Sequence, residues 1–332
     1  RSHSELGSQA FQRRWYLVLR LGRVGHCQAI LMRNNIVITG GAGFVGSNLI
    51  SYLLEKTNFK IISLDNYSTG LKKNHFKSKR VKYIRGNTIN ITKILKKYNN
   101  KIISLFHFGE FSRIYQSFEN FNECFKSNSI GSKEVFKFCL DNKIKLIYSA
   151  TSATLGKNGS DKNLSPYAFT KSNNLELLEN LKNWFKFKYE IIYFYNVYGD
   201  KQIDKGKMAT VIGIFQKQYL DNQPLSVVKP GTQTRRFTHI SDTIRVCYKA
   251  WKSNKCAYYS ISHKKSYSIQ AVAKMFKTNI TYLPRRSGER YASALTNLSY
   301  NNKIIKYYGK INLKDYISSF IKNKKNNYYE NS

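Results

Sequence analysis

The sequence predicts an α/β fold, a doubly wound parallel sheet followed by a smaller α/β unit. Three observations carry this reading. Short apolar runs recur at residues 36–38, 60–64, 81–84, 102–106, 144–148 and 191–194, with helical patterns between several of them. Runs so short and apolar are strands buried on both faces, and their alternation with helices implies parallel pairing. A glycine-rich turn follows the first run directly. After Gly199 the pieces become shorter and less regular, interrupted by Pro224, Pro230 and Pro284.

Taken in order, the first strand begins at Asn35 and a helix is expected from Phe44 to Glu55. A longer helical pattern runs from Phe121 to Leu140. These elements define a first domain over 32–199 and a second mainly over 200–325. The Lys/Asn/Tyr-rich chain after Ile321 is expected to fray, with 326–332 as a loose tail. Met32 immediately precedes the first strand. It is expected to be the natural start, with residues 1–31 an extension outside the fold; Arg20 and Arg23 break its short apolar patch and argue against a signal peptide.

The chain has 332 residues and 42% hydrophobic content, enough to bury a sizeable core. Lys and Arg number 56 against 19 Asp and Glu, a formal net charge of +37. Nucleic-acid binding would use such charge on one face. Here the excess is spread over nearly every segment and mixed with Asn, Ile and Tyr, so a compositional origin is expected and no nucleic-acid partner. The field still attracts anionic small molecules. Five cysteines without a C-x-x-C pair argue against disulfides and zinc, and fit a reducing cytoplasm. No apolar run reaches the roughly 18 residues of a membrane span.

The first chemical motif is Thr39-Gly40-Gly41-Ala42-Gly43-Phe44-Val45-Gly46, between a strand and a helix. Gly40 permits the tight turn, Gly43 lets backbone approach a pyrophosphate, and Gly46 lets helix and strand pack closely. The helix N-terminus then offers free N–H groups to the phosphates. Asp65 closes the second strand, 19 residues after Gly46. A carboxylate there accepts from ribose hydroxyls and repels a 2′-phosphate, which favours NAD over NADP.

The second motif is Ser165-Pro166-Tyr167-Ala168-Phe169-Thr170-Lys171. Pro166 suits a helix start, and Tyr167 and Lys171 at i and i+4 share a helix face. A nearby ammonium favours the phenolate, which makes Tyr167 a candidate general acid or base. The third is Tyr148-Ser149-Ala150-Thr151-Ser152-Ala153-Thr154 at the carboxyl end of the fifth strand, where ligands of such sheets bind. His107 and His239 sit in apolar strand contexts without partners spaced for a metal, so both are read as structural and no metal is expected. Glu110, just after the fourth strand, is either a substrate contact or an acid pointing to solvent. The pairs Tyr258-Tyr259 and Tyr307-Tyr308 are read as strand or core residues.

With these motifs the chain resembles the extended short-chain dehydrogenase/reductases, closest to the UDP-sugar 4-epimerases of the NAD-dependent epimerase/dehydratase family. The resemblance covers about residues 34–322. It rests on T-G-G-A-G-F-V-G, D-N-Y-S-T-G (Asp65 to Gly70), F-H-F-G (Phe106 to Gly109), N-S-I-G-S (Asn128 to Ser132), S-P-Y-A-F-T-K and Y-N-V-Y-G (Tyr195 to Gly199). Later come G-T-Q-T-R-R-F-T-H-I-S-D (Gly231 to Asp242) and R-S-G-E (Arg286 to Glu289).

The resemblance implies a Rossmann domain, a smaller substrate-binding domain, bound NAD and a homodimer built on the helices near 121–140 and 175–187. It implies that Tyr167 takes the proton from the sugar 4-hydroxyl while hydride moves to the nicotinamide, that Thr151 is the catalytic hydroxyl, and that Lys171 holds the nicotinamide ribose. The 4-keto sugar then turns over and receives hydride on its other face. Besides Gly40, Gly43, Gly46 and Asp65, the cofactor residues it implies are Phe44, Val45, Asn66, Ser68, Thr69, Gly70, Asn87, Thr88, Phe108, Gly109, Asn128, Ser149 and Phe194, with Tyr167 and Lys171. Asn196, Arg235, Arg286, Glu289 and Ser293, with Thr151, are implied to meet the nucleotide sugar.

The chain departs from the family pattern at Asn87, Leu155, Tyr193, Arg236, the short loop from Gly156 to Ser165, and Ser260 to His263. These bear on the substrate more than on the redox step. Ser152 and Ala153 stand where related dehydratases carry an acid, which tilts the expectation to an epimerase. Ser293 as a small gate would admit an N-acetylated sugar as well as a plain hexose. Two alternatives stay open: another sugar-nucleotide enzyme on this scaffold (heptose epimerase, dehydratase, decarboxylase or reductase), or a non-catalytic nucleotide- or RNA-binding protein.

Overall fold

The structure is a computed structural model that describes residues 33–155, 161–286 and 304–329. Its main sheet has strands β1 (Asn35–Thr39), β2 (Lys60–Asp65), β3 (Val81–Arg85), β4 (Ile102–His107), β5 (Lys145–Thr151), β6 (Tyr189–Phe194), β7 (Tyr258–Ser262) and β8 (Ile304–Tyr308). The order across this eight-stranded sheet is β8-β7-β6-β5-β4-β1-β2-β3, and every neighbouring pair is parallel. The direction of winding reverses between β1 and β4, the place where open α/β sheets bind ligands.

The apolar runs form strands because both faces of the sheet are covered. Ile36 and Ile38 pack on one side with Leu49, Ile50 and Leu53 of helix α1 (Phe44–Lys56), while Val37 faces the opposite core. Along β5, Leu146 and Tyr148 join that opposite core and Ile147 the first, the period-two alternation of a strand. The expected helix over 121–140 is continuous but carries a π-helical turn at Lys126–Gly131, between Phe121–Phe125 and helix α2 (Ser132–Asp141). Asn128 occupies that turn. Its amide accepts from Phe111 N at 2.7 Å and donates to Phe111 O at 3.0 Å, bonds that tie the helix to the chain leaving β4. Helix α3 (Pro166–Phe185) starts as its sequence suggests, with Pro166 in the first turn and Ser165 Oγ accepting from Ala168 N at 3.1 Å.

The smaller lobe packs α4 (Val211–Leu220), the helix Ile269–Lys274 and α6 (Leu313–Tyr329) around Phe215, Val227, Phe276 and Ile317. The strand Leu225–Val228 pairs in parallel with Ile280–Leu283. Two expectations need correction. The chain beyond residue 199 is not one separate unit: α5 (Ile240–Lys252) packs on the main sheet, and β7 and β8 complete it. Tyr259, Ile261, Cys247 and Trp251 belong to the core shared with β1, so detaching them would expose that core. The backbone also stays helical to Tyr329, past Ile321, because Leu313 and Ile317 anchor the helix in the small lobe. Tyr258-Tyr259 and Tyr307-Tyr308 lie in β7 and β8, as read. No helix among the described residues is long and apolar enough to cross a membrane. The 1–31 segment, Met32, Glu289, Ser293 and residues 330–332 lie outside the described residues.

Candidate active site

The turn after β1 is built on Gly40 at φ +71, a conformation only glycine adopts without strain. A Cβ there would sit 2.9 Å from the backbone of Gly109, so the ends of β1 and β4 touch through two glycines. Gly43 is the N-cap of α1 and brings no side-chain acceptor, which leaves the first amides of the helix open to an anion. Asp65, at the end of β2, is buried, and its carboxylate is fixed by Ala42 N at 2.9 Å and Tyr67 N at 2.8 Å.

β4 and β5 bring up the other wall. Thr39 Oγ1 accepts from Phe108 N and Gly109 N at 3.2 and 3.0 Å and therefore donates to His107 Nδ1 at 2.7 Å. His107 Nε2 then donates to Ser132 Oγ at 3.0 Å. Both nitrogens are used inside the fold, and burial pushes the imidazole down to about 4, against nearby Glu110. His107 is thus neutral in the native state and charges only when the chain unfolds. Stability present above the ordinary histidine range is lost as pH falls from about 6.5 toward 4, by roughly 3 kcal/mol in full. Urea titrations at pH 7 and pH 4.5 are expected to show this loss in the wild type and a smaller one in His107→Asn. His239 is also structural: its Nδ1 accepts from Ser241 N at the start of α5.

The chemistry-bearing side chains converge at the mouth of β5. Ser149 Oγ donates to His107 O at 3.0 Å, and its carbonyl accepts from Lys171 Nζ at 2.6 Å. Thr151 accepts from Ala153 N at 3.1 Å, and its hydroxyl hydrogen-bonds the Tyr167 phenol. Burial is the main influence on that phenol and pushes it up to about 12; the Thr151 bond and the Arg113 charge pull it down, and Glu110 pushes it further up. Lys171 is lowered by burial, an effect that Glu110 opposes.

Thr151, Tyr167 and Lys171 line one cavity of about 910 Å³ with Gly40, Gly43, Phe44, Val45, Gly46, Asp65, Asn66, Ser68, Thr69, Asn87, Thr88, Phe108, Gly109, Ser149 and Phe194. Asn196, Arg235 and Arg286 line the same cavity. The Arg286 guanidinium lies over the Tyr115 ring, 5.4 Å from its centre. Two expected cofactor residues do not line the cavity. Asn128 is fully buried and spends its amide on Phe111, and Gly70 packs behind the Asp65 carboxylate.

Sequence reasoning missed Arg113 and left the role of Glu110 open. Glu110 borders the cavity but is no solvent-facing acid: its side chain is 2% exposed and ion-paired with Lys171. Arg113 lines the cavity, with Nε donating to Met208 O at 3.0 Å and Nη1 to Ser112 O at 2.8 Å. The only signal was a pair of opposite charges three residues apart, just after a strand that points into the cavity.

The geometry fits a dinucleotide: a glycine cradle that a Cβ would fill, uncapped helix amides and a fixed carboxylate on the ribose side. A Rossmann sheet with these features and a Tyr–Lys pair beside its switch point defines an extended short-chain dehydrogenase/reductase. The chain belongs to the NAD dependent epimerase/dehydratase family, whose sequence profile matches residues 36–261; NAD is its cofactor. It is 29% identical over 259 residues to the ADP-L-glycero-D-manno-heptose-6-epimerase of Brachyspira hyodysenteriae, covering 73% of this chain and 80% of that one. It is 28% identical over 275 residues to a putative UDP-glucose 4-epimerase of Methanocaldococcus jannaschii, covering 77% and 88%. In fold it resembles the UDP-glucose 4-epimerase of Thermotoga maritima in its structure with UDP-glucose, at a TM-score of 0.77 and 21% identity, covering 88% of this chain and 99% of that one.

Proposed function

We propose that the protein interconverts the 4-epimers of a nucleotide sugar, a UDP-hexose or UDP-N-acetylhexosamine, through a transient 4-keto sugar. The observation that carries this reading is the one cavity that joins the glycine cradle, the Thr151–Tyr167–Lys171 group, Arg235 and Arg286. Bound NAD supplies a hydride acceptor that becomes the donor when the ketone is reduced.

The protein's own residues do the rest. Tyr167 takes the proton of the sugar hydroxyl and returns it, with Thr151 fixing the direction of its lone pair. Lys171 holds the ribose next to the reacting face. Arg235 and Arg286 meet the diphosphate end with paired donors, assisted by Asn196. Ser152 and Ala153, both buried after Thr151, place no acid where elimination of water from a ketosugar needs one, which supports epimerisation over dehydration. The similarity to a heptose 6-epimerase favours a second reading in which the same group acts on C6 of an ADP-heptose.

The test is incubation of the purified protein with a panel of UDP-sugars and an ADP-heptose, with and without added NAD, followed by chromatography of the products. Appearance of a UDP-sugar 4-epimer supports the reading. Conversion of the heptose alone moves it to the second, and loss of water or carbon dioxide from the sugar overturns both.

The same reading includes a homodimer in the cytoplasm. Phe121 and Phe169 are 51% and 40% exposed, and Phe125 bridges them with ring contacts at 4.5 and 6.2 Å. An aromatic patch of this kind on two neighbouring helices suits a self-complementary interface. Wild type is expected to sediment as a dimer, and the double variant Phe121→Asp with Phe169→Asp as a monomer.

A further inference from the structure

Glu110 stands directly behind Lys171, buried with it. Its Oε2 accepts from Lys171 Nζ in an ion pair whose side chains are 2% and 5% exposed. Its Oε1 accepts from Ser132 Oγ at 2.8 Å, from Tyr148 OH at 3.0 Å and from Asn174 Nδ2 at 3.4 Å. The Ser132 bond ends the relay that runs from Thr39 through His107. Every neighbour donates, so Glu110 stands as the carboxylate, an acceptor on both oxygens.

The groups that face this pair from the surrounding elements stay neutral around pH 7. His107 at the end of β4 is pushed down to about 4, chiefly by burial. Cys124 of the Phe121–Phe125 helix is pushed up to about 11, again by burial. Tyr148 of β5 is raised well above its ordinary value by burial, and Tyr167 of α3 up to about 12. Glu110 and Lys171 are therefore charges matched to each other. A lone buried ammonium costs several kcal/mol and sheds its proton instead.

We propose that Glu110 is a positioning residue that works through Lys171: it is the fixed counter-ion that keeps the ammonium charged and seated against the Ser149 carbonyl beside the cofactor groove. Lys171 Nζ donates to Glu110 and to Ser149 O and lies 4.6 Å from the centre of the Tyr148 ring, and Lys171 lines the cavity. This rests on the role given to Lys171 above.

The experiment is a pH titration of the Lys171 ¹⁵Nζ resonance in the full-length protein labelled with ¹⁵N-lysine, assigned by its absence from Lys171→Met. Wild-type Lys171 is expected to lose its proton below the ordinary lysine range, Glu110→Gln about two pH units lower again, and Glu110→Asp between them. The pH profile of kcat/KM on the sugar that turns over is expected to move in the same order. Ser132→Ala removes one neutral donor and keeps the charge, so its Lys171 titration should match wild type. Equal titration of Lys171 in wild type and Glu110→Gln would overturn the proposal, as would a shift in Ser132→Ala as large as in Glu110→Gln. If Glu110→Gln does not fold, the wild type still decides through the ¹³Cδ of Glu110: both groups charged at pH 7 upholds the pair, and either one neutral overturns it. Absence of turnover in wild type with these titrations as expected would overturn the epimerase reading and leave the counter-ion standing.

Discussion

Tyr167→Phe is expected to lower turnover by about a thousand-fold, roughly 4 kcal/mol of transition-state stabilisation, while sugar-nucleotide affinity stays within a few-fold. The ring itself is structural: it is 8% exposed and packs with Cys124, Ala153 and Ala168, contacts that phenylalanine keeps. Only the hydroxyl is lost, and with it the Thr151 bond and the group proposed to carry the proton. In the free protein burial holds this phenol up at about 12. A base of that kind is scarce in its active form near neutrality, so the wild-type rate is expected to rise with pH until Lys171 loses its charge. That rise should vanish in Tyr167→Phe. Initial rates across pH, beside calorimetric binding of the sugar nucleotide, check both points. A loss below ten-fold would remove Tyr167 from the proton transfer.

Gly46→Ala is expected to weaken NAD binding on the order of a hundred-fold and to cost about 3 kcal/mol of stability. A Cβ at Gly46 would lie 2.2 Å from Gly40 O and 2.7 Å from Gly41 Cα. Those atoms cannot yield cheaply. Gly40 N donates to Leu64 O at 2.8 Å, and Gly43 N donates to Gly40 O at 3.1 Å, so the turn is pinned to β2 and to the helix start. Leu49, Ile50 and Leu53 lock α1 from the other side in the core. The helix must lift off the turn, which carries its amides away from the pyrophosphate. Fluorescence titration with NAD and a thermal melt read the two losses separately. Unchanged NAD affinity would show that the cradle does not bind the pyrophosphate.

The strands were legible because each is a continuous apolar run buried on both faces. Their ends were less so: β5 extends through Ser149 and Thr151, polar side chains that strand patterns do not mark. The return of β7 to the main sheet was not legible, since Tyr258–Ser262 reads as a strand without saying which sheet it joins. The glycine turn, Asp65 and the Tyr167–Lys171 spacing were visible because each is a local motif. Glu110 stood out by its place after β4, but its role was not legible, because its partners come from α2, β5 and α3, and only the folded chain places Ser132, Tyr148 and Lys171 around one carboxylate. Asn128 was misplaced for the same reason. Its position in the N-S-I-G-S segment is conspicuous, but the π-helical turn aims its amide at Phe111 rather than at the cavity.

The interleaving of the lobes has a mechanical consequence. After β6 the chain enters the small lobe, comes back for α5 and β7, leaves again and returns for β8. The lobes are thus stitched together at several points, not joined by one strap. A jaw-like opening would have to bend all of these crossings at once, so access to the cavity falls to its rim loops. For the same reason, cutting the gene after residue 199 should yield neither half as a stable protein. The first piece would end on a bare β6 edge, and the second would carry α5, β7 and β8 without the strands β1, β4, β5 and β6 that cover them.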